Sequence, residues 1–379
     1  MAQAFGCTRV AFNDAIAARR AAHEAGQPYP TDAALSKALT AAKRTPQRAW
    51  LAEVSAVVLQ QALADANTAY RNFFASLSGK RKGRKLGAPR FRSRKDRAPS
   101  IRFTKAARFK VTNAGRLRLP GIGDVPVRWS RHLPAEPSSV TVSVDAAGRY
   151  HASFVVDAPD QPLPPTGREV GIVLGLTHFA VLSDGTKVDA PRIARKRAAK
   201  LRRAQKELAR RQNGSANREK SRRRLARCHA RVADTRRDWL HKLPSIVVRE
   251  NQLITVEDLA VSGLARTRLA RSVHDAGWSM FVGMLAYKAQ RAGRTFVKVN
   301  RWFPSTRACS ECGALGEAKP LHVRAWTCRC GATHDRDVNA ARNILAAGRA
   351  DRSTPVELVS AAPSGAQSAV KQELTGSTA

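Results

Sequence analysis

The sequence predicts an α+β chain of several domains, and three patterns carry that expectation. Ala-rich helical segments come first, short alternating strands crowd residues 108–156, and after residue 168 buried strands alternate with long helices. The last part adds four paired cysteines and a closing helix that carries carboxylates.

Taken in order, Ala11 to Gly26 and Thr31 to Lys43 read as helices, the second opened by a start signal at Pro30 and Thr31. A longer helix is expected from Gln47 to Leu77, where Trp50, Leu51, Val54, Val57, Val58, Ala62, Tyr70, Phe73 and Phe74 recur at three- and four-residue steps. Gly79 to Arg97, GKRKGRKLGAPRFRSRKDR, then breaks the pattern with Gly and Pro. Lys80, Arg81, Lys82, Arg84, Lys85, Arg90 and Arg92 surround Phe91 there. Such a mixture suits a solvated loop, or phosphate tracking combined with base stacking; we read it as nucleic-acid contact.

RFKV, RLRLP, VPVRW, SVTVSV and RYHASFVV alternate apolar and polar residues between Arg108 and Val156, with Asn113, Gly115, Gly121 and Gly148 at the turns, and predict a small barrel. Pro162 to Pro165 mark a linker. VGIVLGL, Val170 to Leu176, reads as a fully buried strand, and HFAVLSDGTKV as a hairpin turning at Asp184 and Gly185. Helices are expected from Pro191 to His241, a buried strand at Leu253 to Leu259, an amphipathic helix from His274 to Ala292 and a strand at Thr295 to Val299. Strands first, helices interposed and a final helix with carboxylates is the order of an RNase H-like domain.

The chain has 379 residues, with 67 Lys plus Arg against 29 Asp plus Glu, a net charge of +38 and a pI near 11.4. So large a surplus implies a polyanionic partner, because cations that neutralise phosphates release counterions. Arg192 to Arg237 alone holds nineteen cations against three acids. A helical hairpin turning at Asn213 and Gly214 would point most of them outward, with Arg202, Arg203, Arg222, Arg223 and Arg224 as phosphate contacts. No apolar run is long enough to span a bilayer and no signal peptide is visible, so a soluble, cytoplasmic, nucleoid-associated and non-secreted protein is expected.

Cys309 and Cys312 form a CxxC pair, and Cys328 and Cys330 a tighter CxC pair, separated by a linker containing Trp326. Four thiolates in two close pairs suit tetrahedral zinc. Gly313 and Gly331 follow the pairs, where a tight turn presenting amides to sulfur needs a residue tolerant of positive φ. Disulfides are disfavoured, since nothing marks the chain as secreted. Cys7 and Cys228 read as ordinary thiols. Directly after the pairs, His334, Asp335, Arg336, Asp337, Val338 and Asn339 lead into AARNILAA, a helix.

WFPSTRACSECG followed by WTCRCGATHDRDVNAARNIL resembles the C-terminal signature of the TnpB family, transposon-encoded RNA-guided DNA nucleases similar to type V CRISPR effectors. The resemblance extends from about Ala4 to Ala347. It implies a helical recognition segment with the start of an OB-like barrel at 1–104, OB-like wedge strands at 105–160, and a RuvC nuclease domain at 161–300 carrying the basic insertion 191–241. A target-binding zinc ribbon would occupy 301–332 and the final RuvC motif and helix 333–350, with a disordered tail at 351–379. Guide RNA and target DNA are the implied partners, and structural zinc and Mg²⁺ the implied metals. Family members begin with a further basic and aromatic strand before the segment matching AQAFGCTRVAFNDAI; this chain starts at Met1, so either a barrel short of an edge strand or a start lying upstream is expected.

Three acids hold the metals in this family. By position Glu257 in TVEDL matches the second and Asp337 the third, although taken alone Glu257 could be a strand-end charge and Asp337 a helix N-cap. Where the family strand reads GIDLGL, this chain reads GIVLGL, with Val173 at the first acid position. Valine offers no oxygen to an ion that demands octahedral hard ligands. Glu169, about 13 Å away along the strand, and Asp184 in the hairpin turn are too far to stand in. The expectation is a guide-directed DNA binder or repressor whose cleavage is absent or weak, Glu257 and Asp337 holding at most residual magnesium. Three alternatives stay open: an active transposon-associated endonuclease, a decayed transposon passenger, and a zinc-ribbon factor reading duplex directly.

Overall fold

A computed structural model describes residues 1–96, 98–320, 322–353 and 367–374. The chain divides into two compact units, 1–158 with 363–379, and 159–362.

In the first unit α1 (Ala2–Glu24), α2 (Asp32–Ala42) and α3 (Ala56–Leu77) precede the strands. The α1 helix begins nine residues before the expected Ala11, because Ala4, Phe5 and Cys7 extend its buried stripe towards Met1. Thr31 caps α2, its hydroxyl accepting from the Ala34 amide at 3.2 Å. The long helix expected from Gln47 is interrupted. Ala49–Glu53 is a 3₁₀ turn, and Val54 is extended at φ −111° and ψ 159° before α3 begins. Gly121, at φ +75°, comes so close that a Cβ would stand 3.2 Å from the Ser55 amide nitrogen. Leu51 and Val54 are both buried at the break.

The strands of this unit are β1 (Ser100–Thr104), β2 (Lys110–Val111), β3 (Leu117–Leu119), β4 (Gly123–Val125), β5 (Val127–Arg128), β6 (Ser139–Val144) and β7 (Tyr150–Asp157). They form two antiparallel sheets: β2, β3 and β4 make one, while β1, β6 and β7 belong to a five-stranded sheet completed by β15 (Gln367–Leu374) and β5. Alternation on β6 and β7 sends Val140, Val142, Ala152, Phe154 and Val156 into a core shared with Phe12, Ile16, Leu59 and Leu63. The tail expected to be disordered therefore contains a strand, β15, paired with β7 from Gln367 opposite Asp157 to Leu374 opposite Tyr150. Main-chain pairing to an open edge requires little side-chain signal, which is why composition alone points to disorder. Residues 354–366 and 375–379, also within that expectation, lie outside the described residues.

The second unit is built on β8 (Glu169–Leu174), β9 (His178–Leu182), β10 (Lys187–Asp189), β11 (Leu253–Glu257) and β12 (Thr295–Val299), in the spatial order β10-β9-β8-β11-β12. The hairpin side is antiparallel, whereas β8, β11 and β12 run parallel. Between them come α4 (Ile193–Lys196), α5 (Ala198–Ala209), α6 (Ala216–Glu250), α7 (Val261–Leu264), α8 (Ala270–Ala276) and α9 (Trp278–Arg291). The α5–α6 hairpin turns where expected, at Gly214 with φ +83°, and Ser215 caps α6. The helix expected from His274 to Ala292 is divided at Gly277, whose left-handed φ of +74° ends α8 and starts α9. Arg236 and Leu240 pack against that glycine, so the backbone must turn there.

One face of the central sheet presents Val170, Ile172, Leu174, Ile254 and Val256 to Leu240, Val247, Phe281 and Leu285 of α6 and α9. The other receives α10 (Arg336–Ser353), which follows β13 (Ala325–Thr327) and β14 (Thr333–Asp335). Two glycines let α10 sit close against the sheet. A Cβ at Gly171 would lie 2.1 Å from the Ala341 carbonyl oxygen, and one at Gly348 would lie 2.3 Å from Thr255 Oγ1.

Candidate functional site

The seating of α10 brings the two carboxylates together. Gly171 lies under Ala341 and Leu345, so Val173, two residues further on the same face of β8, lies towards the first turn of α10, where Asp337 stands. Thr255 pairs with Gly171 across the parallel ladder, which aligns the C-terminal end of β11, and Glu257, with Val173. Glu257 Oε1 accepts from the Leu174 amide at 3.0 Å. Burial pushes the Glu257 carboxyl up, the Leu174 amide opposes this, and the nearby Asp337 charge adds to the rise.

The cap reading of Asp337 is excluded, because Asp335 takes that place. Its Oδ1 accepts from the Asp337 and Val338 amides, both at 3.0 Å, and Lys187 Nζ lies 2.6 Å from its Oδ2. Burial alone would raise the Asp335 carboxyl, but the Lys187 ammonium and the Val338 amide outweigh it and hold it below the usual carboxylate range. Asp337 is left with a 3.5 Å contact to the exposed Arg324. Neither possible substitute for a first acid comes near: Glu169 pairs with Arg349 at 2.6 Å, at the far end of α10, and Asp184 accepts from Thr186 within its own turn.

The four cysteines converge. All four Sγ atoms lie within 4.8 Å of one another, with Cys309 and Cys330 3.8 Å apart and Cys312 and Cys328 3.7 Å apart. A tetrahedron of sulfurs about 2.3 Å from a central ion has edges of about 3.8 Å, so the donor set fits a tetrahedral thiophilic ion. Gly313 at φ +73° and Gly331 at φ +87° make the turns expected of them. Their amides donate to the Cys309 and Cys328 carbonyls, both at 2.9 Å. Burial pushes the Cys309 thiol up, but the Cys312 and Glu311 amides and the His334 ring bring it down to about 6.

Three residues at this site carry no assignment from the sequence. His334 is buried, its ring 4.7 Å from that of Trp326 and its Nε2 3.0 Å from Cys309 Sγ. Asn339 and Asn343, one turn apart on α10, each donate to the Ala308 carbonyl at 2.8 Å, and Asn339 Oδ1 accepts from the Ser310 amide at 2.9 Å. They tie the Cys309 turn to the helix that carries Asp337. The only sequence signal was two asparagines at i and i+4 inside a helix, where Asn is otherwise unfavourable.

The expected nucleic-acid contacts divide. Lys80, Arg81, Lys82, Arg84, Lys85 and Arg90 are exposed in a segment without regular structure. Arg92 is turned inward instead, its guanidinium 3.9 Å from the Phe12 ring centre and 3.1 Å from Asp65. Arg202 and Arg203 line an open groove on α5 with Lys206, Arg210 and Arg211. Arg222 and Arg223 share Glu219 at 2.6 and 3.1 Å, and Arg224 pairs with Glu207 at 2.9 Å. No helix among the described residues is long and apolar enough to cross a membrane.

Residues 153–268 match the OrfB family of IS605, described as "Probable transposase", and residues 278–344 match "Cas12f1-like, TNB domain". A Streptomyces pristinaespiralis protein named "Putative RNA-guided DNA endonuclease" is 45% identical over 354 residues, covering 92% of this chain and 86% of its own. "Putative RNA-guided DNA endonuclease InsQ" of Escherichia coli K12 is 32% identical over 363 residues, covering 91% and 87%. In solved structures, a chain of the Cas12f1–sgRNA–target DNA complex shares the fold, with a TM-score of 0.53 at 14% identity, over 90% of this chain and 81% of that one. With relatives this similar along nine-tenths of its length, the chain belongs to the TnpB family.

Proposed function

We propose that the protein binds DNA under the direction of a guide RNA and cleaves it weakly or not at all. Base pairing with the guide supplies sequence specificity, and the basic surfaces hold the nucleic-acid backbones. The helices and sheets of residues 1–160 serve as the recognition and OB-like wedge region for the guide. The order β10-β9-β8-β11-β12, with α10 on one face, supports an RNase H-like RuvC domain. The four-cysteine segment serves as a zinc ribbon: Cys309, Cys312, Cys328 and Cys330 hold the ion, which supplies structure rather than chemistry.

One observation carries the loss of cleavage. Val173 lies on β8 beside the end that bears Glu257 and towards the first turn of α10, where a third carboxylate would complete the set. Two-metal hydrolysis needs carboxylates that bridge and neutralise both ions. A valine, a Glu257 oxygen engaged by an amide and a single Asp337 do not fit a pair of Mg²⁺ ions, so no catalytic step is assigned to them. The fold tolerates the change because valine suits a half-buried strand.

The test loads the chain with its guide RNA and offers matched duplex DNA in Mg²⁺. The wild-type complex is expected to retain the target uncut, and Val173→Asp to cut it at least about 10³-fold faster, the size of effect that several kcal/mol of metal assistance gives. Wild-type cutting that Glu257→Gln abolishes would establish the active endonuclease instead. A smear of cellular RNA in place of one discrete guide would favour a decayed passenger.

A further inference from the structure

His334 is only 5% exposed, and neither the basic surfaces nor the carboxylate pair gives it a task. Across the β13–β14 ladder it pairs with Trp326, whose ring centre stands 4.7 Å from its own. The Lys319 ammonium lies 3.7 Å from the centre of the same indole. Packed in this way, the imidazole brings its Nε2 to 3.0 Å from Cys309 Sγ.

The four cysteine sulfurs already supply the four vertices that structural zinc takes, so the ring acts on a sulfur and not on the ion. Four thiolates around one divalent ion leave two negative charges, which the sulfurs must spread into surrounding donors. The sulfurs are not equally placed to do so. Cys312 and Cys330 are exposed to water, whereas Cys309 is only 1% exposed. A buried charge is costly unless protein groups hydrogen-bond to it. Such donors gather on Cys309: the Cys312 and Glu311 amides and the His334 ring. A metal-bound thiolate carries no proton, so in this contact Nε2 is the donor.

We propose that His334 is a positioning residue of the metal site, its Nε2–H donating to the Cys309 thiolate and holding that sulfur on the zinc. A hydrogen bond to a ligating atom draws off part of its charge and fixes its direction without competing for the ion. Ala308 and Ser310, on either side of Cys309, are the groups that Asn339 binds from α10. A sulfur held on the ion therefore also holds this turn against the helix that bears Asp337. The proposal rests on reading the four cysteines as a zinc site.

The experiment uses the full chain loaded with zinc or with Co²⁺, whose sulfur-to-metal charge-transfer band reports the electron density on the thiolates. His334→Phe keeps a ring to pack on Trp326 but removes the donor, and His334→Gln restores an N–H. His334→Phe is expected to keep the visible bands of tetrahedral cobalt and to move the charge-transfer band to longer wavelength. Its zinc affinity, measured in competition with a chelator, should fall about 10- to 100-fold, and His334→Gln should recover most of both. Packing alone would leave the band in place and would give Gln no power of rescue. An unshifted band with wild-type zinc affinity in His334→Phe would overturn the proposal, as would an equal loss in both variants. A nitrogen ligand beside sulfur in X-ray absorption of the zinc-loaded wild type would overturn it too, since His334 would then bind the ion itself. A wild-type chain that takes up neither zinc nor tetrahedral cobalt would overturn the zinc-site reading, whereas an inert His334 in a loaded chain would overturn only its positioning role.

Discussion

The cysteine cluster and the carboxylate centre are both sets of metal-type donors gathered at the N-terminal end of α10, and they differ in completeness. At the first, four sulfurs lie within 4.8 Å of one another, two pairs of them at the edge length of a tetrahedron. At the second, two carboxylates converge beside an apolar Val173. The difference is one of what each set supports. Losing a thiolate would undo the segment between Arg301 and β14, which has almost no apolar core of its own: among its described residues Cys309 is the one buried hydrophobic. Losing a strand carboxylate costs the fold little, because the sheet is held by Ile172, Leu174, Ile254 and Val256 on its other face. On the proposed function, a chemical site is free to lapse while a structural one is not.

The sharpest way to break this comparison is to remove a donor from the intact set. Cys309→Ser, or chelation of the wild type, is expected to release the ion and disorder residues 301–332. Structural zinc contributes on the order of 10 kcal/mol in small domains, so the loss should be large in metal analysis and in hydrogen exchange of that segment. Retention of full protection without metal would refute the structural role.

A smaller effect is expected from cutting the tie between the two sites. Asn339→Ala leaves the Ser310 amide without its side-chain acceptor and removes one of two asparagine donors from the Ala308 carbonyl. It should cost about 1–3 kcal/mol in denaturant unfolding. It should also weaken metal retention, although Asn339 touches no cysteine sulfur. A variant that lost stability but held the ion as tightly as the wild type would show the two sites to be uncoupled.

The smallest effect belongs to the cap. Asp335→Ala removes the acceptor for two α10 amides and should cost about 1 kcal/mol near neutral pH. Because the folded chain holds the Asp335 carboxyl below its ordinary value, its contribution is present above the unfolded pKa of about 4 and lost as pH falls through the lowered one. The stability gap between Asp335→Ala and wild type should therefore close in acid. A gap that widened there would contradict the assignment of the cap to Asp335 rather than Asp337.

Much of this was legible from short-range pattern. The strands at Glu169–Leu174, Leu253–Glu257 and Thr295–Val299, the α5–α6 turn at Gly214, and the positive-φ glycines after each cysteine pair follow from alternation, burial and turn chemistry. The breaks were not legible. Apolar periodicity runs through Val54 and again through Gly277 as if one helix continued, and only the approach of Gly121 to Ser55, and of Arg236 and Leu240 to Gly277, shows why the chain must turn. Nor could the sequence tell an outward cation from an inward one. Arg90 and Arg92 are alike in composition, yet only Arg92 reaches Phe12 and Asp65.

The sequence by itself determined the cysteine set, the charge surplus, and the presence of Val173, Glu257 and Asp337, since residue identity and near-neighbour spacing fix which donor atoms exist. Only the tertiary structure decided which of them meet. Two glycines, Gly171 and Gly348, let α10 lie close against the sheet, and that packing, made between Gly171 and Ala341 and between Thr255 and Gly348, far apart in the chain, brings Asp337 to Glu257. Such contacts depend on shape at the point of closest approach, and no local pattern encodes them.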